Sequence, residues 1–97
     1  MENFVYNELL KKFEKKQIYF YRTISKAEID FVVEKSYKKY LLIECKYRNK
    51  KSSIPVVMKN FEDYYGVSQK IIITKDYLEK SDNVFYIPAF LFAFIDL

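Results

Sequence analysis

Apolar residues recur at spacings of three and four through the first sixteen positions. Val5, Tyr6, Leu9, Leu10 and Phe13 fall on one side and lysines on the other, the pattern of an amphipathic helix. Glu2, Tyr6, Leu9 and Phe13 share one stripe of that helix. The period then shortens to two. Gln17–Arg22 reads as a short strand, and Ile29–Val33 and Tyr40–Tyr47 as clearer ones, rich in β-branched and aromatic residues. Arg48–Ser53 is a polar loop. Pro55 suits the first turn of a second helix over 55–65, closed by the lone glycine, Gly66. Lys70–Thr74 reads as a strand buried on both faces. A helical turn is expected at Asp76–Lys80 and a strand at Val84–Ile87, with Pro88 opening a terminal helix. The predicted order is α-β-β-β-α-β, then a strand and a helix. With no repeat or linker, residues 1–97 form one α/β domain.

The segment EIDFVVEKSYKKYLLIECKY folds on itself as a hairpin about Tyr37. Asp30 and Glu44 each lie seven residues from Tyr37, so they come directly opposite, with Glu28 opposite Lys46 and Val32 opposite Leu42. Alternation sends Ile29, Phe31 and Val33 to the other face, against Cys45, Ile43 and Leu41. That face is wholly apolar, which selects this register over a slip of one residue.

Opposed carboxylates repel. Such a pair persists by sharing a proton, lying in water or holding a cation. Lys46, two residues after Glu44, can enter the same space. Two acids and a lysine are what Mg²⁺-assisted phosphodiester hydrolysis requires: carboxylates for a hard ion, an activated water, and a cation for the developing charge. The competing reading is a Glu28–Lys46 surface salt bridge beside two solvated acids.

Composition narrows the chemistry. Half the chain is hydrophobic (51%) and a fifth aromatic, enough for a core. Histidine is absent, and there is one cysteine and one glycine. Imidazole catalysis, disulfides, cysteine-rich metal frameworks and Gly-rich phosphate loops are thereby excluded. The window 35–51 carries seven basic residues and one acidic. Lys38, Lys39, Arg48, Lys50 and Lys51 are the candidate contacts to a polyanion, against the reading of a solvated lysine-rich surface. Tyr19, Tyr21, Tyr37, Tyr40 and Tyr47 could stack on bases or simply pack across strands. No signal peptide or membrane span is read, so a cytoplasmic protein is expected.

Asp30 in one strand, followed by Glu44-Cys45-Lys46 in the next, resembles the PD-(D/E)XK nuclease superfamily with its restriction-endonuclease-like fold. The ordered blocks ENFVYNELLKK, YFYR, EIDFVVEK, LLIECKYR, KIIITKD and VFYIPAFLF resemble more closely the nuclease-like domain that follows the ATPase module in archaeal and bacterial AAA-type ATPases. Ile29 stands where the superfamily has a proline. The resemblance implies a mixed sheet flanked by helices, with Asp30 and Glu44 as ligands of Mg²⁺ or Mn²⁺ and Lys46 as the catalytic lysine. It implies the Cys45 backbone carbonyl as a further ligand and Glu28 in support. Glu2 matches the family's helix-1 glutamate; its other reading is an acid favoured by the helix dipole. The implied partners are DNA and an AAA-type ATPase module in cis or in trans, with a homodimer also open. Three other functions stay in view: a nuclease-derived DNA-binding module, a catalytically silent domain that docks or regulates an ATPase, and an RNA-binding protein using the basic hairpin.

Overall fold

The computed structural model describes residues 2–46, 54–66, 68–81 and 83–97. Helix α1 (Glu2–Lys12) leads through a 3₁₀ turn (Lys15–Gln17) into strands β1 (Ile18–Arg22), β2 (Glu28–Ser36) and β3 (Lys39–Cys45). Helix α2 (Val56–Tyr65), β4 (Gln69–Thr74), β5 (Glu79–Ser81), β6 (Val84–Pro88) and the short helix α3 (Ala89–Phe92) follow. The strands make one six-stranded sheet in the order β1-β2-β3-β4-β6-β5. The β1–β2, β2–β3 and β5–β6 pairs are antiparallel, and the β3–β4 and β4–β6 pairs are parallel. This is the expected α/β architecture with its α-β-β-β-α-β core, a mixed sheet flanked by helices.

Strand alternation divides the core in two. Val5 and Leu9 of α1 pack with Phe31, Val33, Leu41, Ile43, Ile71, Ile73, Ile87 and Phe92 on one face. Met58 and Phe61 of α2 pack with Ile29, Val32, Leu42, Ile72, Val84 and Tyr86 on the other. The unbroken run Ile71-Ile72-Ile73 feeds both clusters, which is why it shows no polar alternation. Among the described residues no helix is long and apolar enough to cross a membrane.

Several boundaries differ from the sequence pattern for local reasons. Helix α1 stops at Lys12 because Glu14 turns extended (φ −71°, ψ 147°), and its N–H donates to Gln17 Oε1 at 2.8 Å. The turn expected over Asp76–Lys80 gives way to β5, which pairs with Val84–Tyr86. The Thr74 hydroxyl fixes the intervening loop, donating to the Tyr77 carbonyl and accepting its N–H. Gly66 closes α2 at φ 116°, a conformation that strains any residue with a Cβ.

A buried lysine interrupts the apolar pattern. Lys70 is only 4% exposed and its ammonium lies 2.6 Å from Glu62 Oε1 on α2. The second oxygen of Glu62 accepts the Ser68 N–H at 2.8 Å. Removing one partner of such a pair leaves the other charge poorly compensated. Lys70→Met should therefore lower stability by roughly 3 kcal/mol, read from the urea midpoint. Adding Glu62→Leu should recover part of that loss.

Candidate active site

The geometry of the site begins with a register shift. Along β1 and β2, Tyr19 faces Val32 but Tyr21 faces Ile29. Asp30 and Phe31 together therefore oppose the single residue Phe20, which is a β-bulge. The bulge reverses the alternation. Phe31 and Val33 point to the α1 side, whereas both Val32 and Ile29 belong to the α2 side. Ile29 thus does not share a face with Phe31, Ile43 and Cys45, as simple alternation requires; the inserted residue carries it across. The β2–β3 register is the expected one, with Phe31 opposite Ile43, Val32 opposite Leu42 and Val33 opposite Leu41.

Beyond the Phe31–Ile43 pair, side chains take over from the ladder. Asp30 Oδ2 accepts the Cys45 N–H at 2.8 Å, and Glu44 Oε1 accepts the Asp30 N–H at 3.4 Å. Each acid binds a backbone donor of the strand opposite, so both carboxylates are held where β2 and β3 part. The Lys46 ammonium lies 3.6 Å from Glu44 Oε2, and the Lys46 N–H is tied to the Ile73 carbonyl of β4 at 2.8 Å. The structure brings Asp30, Glu44 and Lys46 together.

Their electrostatics follow from crowding. Burial, and next the Asp30 charge, push the Glu44 carboxyl from 4.5 up to about 7, against the lowering influence of Lys46 and the Asp30 N–H. Burial also raises the Cys45 thiol to about 12, helped by the charges of Asp30, Glu2 and Glu44. Cys45 packs half-buried against the α1-side core and stays a protonated thiol, which is no nucleophile.

The remaining candidates divide. Glu2, at the start of α1, lines a cleft of about 270 Å³ together with Glu28 and Asp30. Its position at the helix N-terminus therefore also brings it beside the site. Glu28 does not reach Lys46. It faces Arg22 across β1–β2 and pairs with that guanidinium at 2.9 Å. Arg22 and Glu28 flank the short Thr23–Ala27 loop, a placement already visible as opposite charges at the ends of a hairpin. Lys38 and Lys39 sit at the hairpin tip, Lys39 five residues along β3 from Glu44, or about 16 Å at strand rise. They are not part of the carboxylate cluster. Lys38 takes the left-handed conformation there (φ 59°), with its ammonium over the Tyr37 ring. Arg48, Lys50 and Lys51 lie outside the described residues.

Residues 1–92 match the model of a family described as "Domain of unknown function (DUF4143)". The chain belongs to the DUF4143 family. Members of DUF4143 are typically found with AAA ATPase domains. No curated protein and no solved structure matches the chain.

Among the described residues of this DUF4143 domain, no group of three or more His, Cys, Asp or Glu side chains is placed to hold a metal ion. The donor set at the strand gap is two carboxylates. An oxygen-only pair of that kind fits Mg²⁺, which keeps several waters and takes one or two protein carboxylates. It does not fit a cation that needs a closed protein cage.

The raised Glu44 carboxyl fixes a pH dependence. Below about pH 4.5 the group is protonated whether the chain is folded or not. As pH rises towards 7 the unfolded chain ionises first, so the folded state loses stability. In chelator, wild type should lose about 1–3 kcal/mol between pH 4.5 and 7.5 from this group. Glu44→Gln should remove that slope in urea titrations across the range.

Proposed function

We propose that this domain is a Mg²⁺- or Mn²⁺-dependent nuclease that hydrolyses phosphodiester bonds in DNA, working beside an AAA-type ATPase. The observation that carries the reading is the meeting of Asp30 and Glu44 where β2 and β3 part, beside the β1–β2 bulge, with Lys46 at 3.6 Å from Glu44. A strand irregularity that aims an acid at a second acid and a lysine lowers stability, and such devices concentrate at functional sites.

Asp30 and Glu44 would hold the ion, which when bound supplies Lewis acidity and an acidified water. The Cys45 carbonyl is the further ligand that the superfamily resemblance suggests. Lys46 places a positive charge where negative charge develops on the phosphate. Glu2 adds a carboxylate on the same cleft, placed to orient water. Because the Cys45 thiol stays protonated, the attacking group is water rather than sulfur. A silent ATPase-docking domain is the second reading. It draws support from the family's company with AAA ATPase domains and from Phe90 and Phe94, which stand 64% and 83% exposed beside the buried Phe92.

With Mg²⁺ or Mn²⁺ the domain should nick or cleave DNA, and Asp30→Asn, Glu44→Gln and Lys46→Ala should each lower the rate at least ~100-fold. Millimolar Mg²⁺ should raise the melting temperature of wild type by mass action and that of the two acid variants less. A wild-type melt indifferent to both metals, with no cleavage of duplex, branched or single-stranded DNA, would leave the docking reading standing. Separately, Lys38→Gln with Lys39→Gln should weaken DNA binding. The log–log salt slope should fall by about one unit for each phosphate that the variant no longer neutralises.

A further inference from the structure

A second concave site lies on the opposite side of the sheet from α1. Tyr21 on β1 and Tyr40 on β3 straddle β2, and both rings stand nearly perpendicular to Phe61 of α2, at 86° and 85° with centroids 5.1 and 5.3 Å away. Tyr65, one helical turn after Phe61, stacks beside it at 4.5 Å and meets Tyr21 and Tyr40 edge-on at 6.4 and 6.0 Å. The four rings, with Tyr19, wall a cleft of about 360 Å³ that also contains Glu34. Tyr19 and Tyr65 remain 49% and 41% exposed, so these two walls are open to solvent, and the buried Phe61 forms the floor.

The charge in this cleft has one sign. No lysine or arginine lines it, and among the described residues no ion pair neutralises Glu34. Glu34 faces Tyr40 directly across β2–β3. Burial, and then the Glu34 charge, raise the Tyr40 phenol, which therefore stays protonated with an intact neutral ring. Ring faces carry negative electrostatic potential and attract weakly hydrated cations, most strongly where several rings converge. A carboxylate at the same cleft adds a full negative charge. Nucleic-acid stacking uses aromatic rings too, but pairs them with a positive groove, and this cleft has the opposite sign.

We propose that the Tyr21–Tyr40–Phe61–Tyr65 cleft, with Glu34, binds a weakly hydrated organic cation: an alkylated ammonium or a guanidinium group. The site is separate from the Asp30–Glu44–Lys46 cluster and does not depend on nuclease activity. The cation has two sources, a free quaternary ammonium compound or an arginine side chain of a peptide.

The test titrates the whole domain with choline, N-acetyl-arginine amide, the neutral choline isostere 3,3-dimethylbutan-1-ol and oligothymidylate. Binding is followed by the ring resonances of Tyr21, Tyr40, Phe61 and Tyr65 and by upfield ring-current shifts of the ligand protons. At least one of the two cations should bind with upfield-shifted protons, and the better binder identifies the source. The neutral isostere should bind at least ~5-fold more weakly. Glu34→Gln, which keeps the shape of the side chain, should weaken cation binding about 3- to 10-fold, and Tyr65→Leu should weaken it further. If Tyr65→Leu unfolds, the isostere and Glu34→Gln comparisons still decide. Equal binding of the neutral isostere, indifference to Glu34→Gln, shifts with oligothymidylate alone, or no shift with any probe would each overturn the proposal.

Discussion

Two negative charges set opposite each other between neighbouring strands are held in place by the backbone of the strand each one faces. The Cys45 N–H binds Asp30 and the Asp30 N–H binds Glu44. The ladder hydrogen bonds given up at this point are thus replaced, since an unpaired buried amide costs as much as a broken hydrogen bond. Everything around the gap fixes its width. β2 is buried on both faces between the two core clusters, β3 is paired to β4 along its length, and the Lys46 N–H continues that parallel ladder one residue beyond β3. Neither strand can slide to relieve the repulsion. Burial first, and then that repulsion, raise the Glu44 carboxyl, and an added cation can offset the repulsion.

The fold was largely legible because its strands obey simple rules. The apolar parity of Phe31, Val33, Leu41 and Ile43 fixed the hairpin register, and with it the meeting of Asp30 and Glu44. The bulge was not legible. An inserted residue carries no compositional mark, and Ile29 is equally at home in either apolar cluster, so nothing in the chain betrays which face it takes. The Glu28–Lys46 pairing failed for the same reason, since the bulge and the β1–β2 hairpin turn Glu28 towards Arg22. The Lys70–Glu62 pair was hidden differently. A lysine at the start of an isoleucine run carries no mark of its partner, and only the helix folding over it supplies the carboxylate.

One strand, β2, contributes an acid to each of the two candidate sites. The Asp30–Glu44 gap lies at one end of β2, beside the bulge. Farther along the same strand, Glu34 stands on the α2 face among tyrosines from both neighbouring strands. The hairpin tip, where Lys38 adopts a left-handed conformation, lies beyond both.

Helix α1 is a rod of eleven residues, about 16 Å long at helical rise. One end carries Glu2 on the Asp30 cleft. At the other, the Lys12 ammonium is fastened to the Ile95 carbonyl at 2.7 Å and to the Ala93 carbonyl at 3.5 Å. Val5 and Leu9, fully buried between those ends, anchor the helix to the sheet. The last residues of the chain and the mouth of the cleft are therefore joined by one helix, fastened at its Lys12 end and buried between the two.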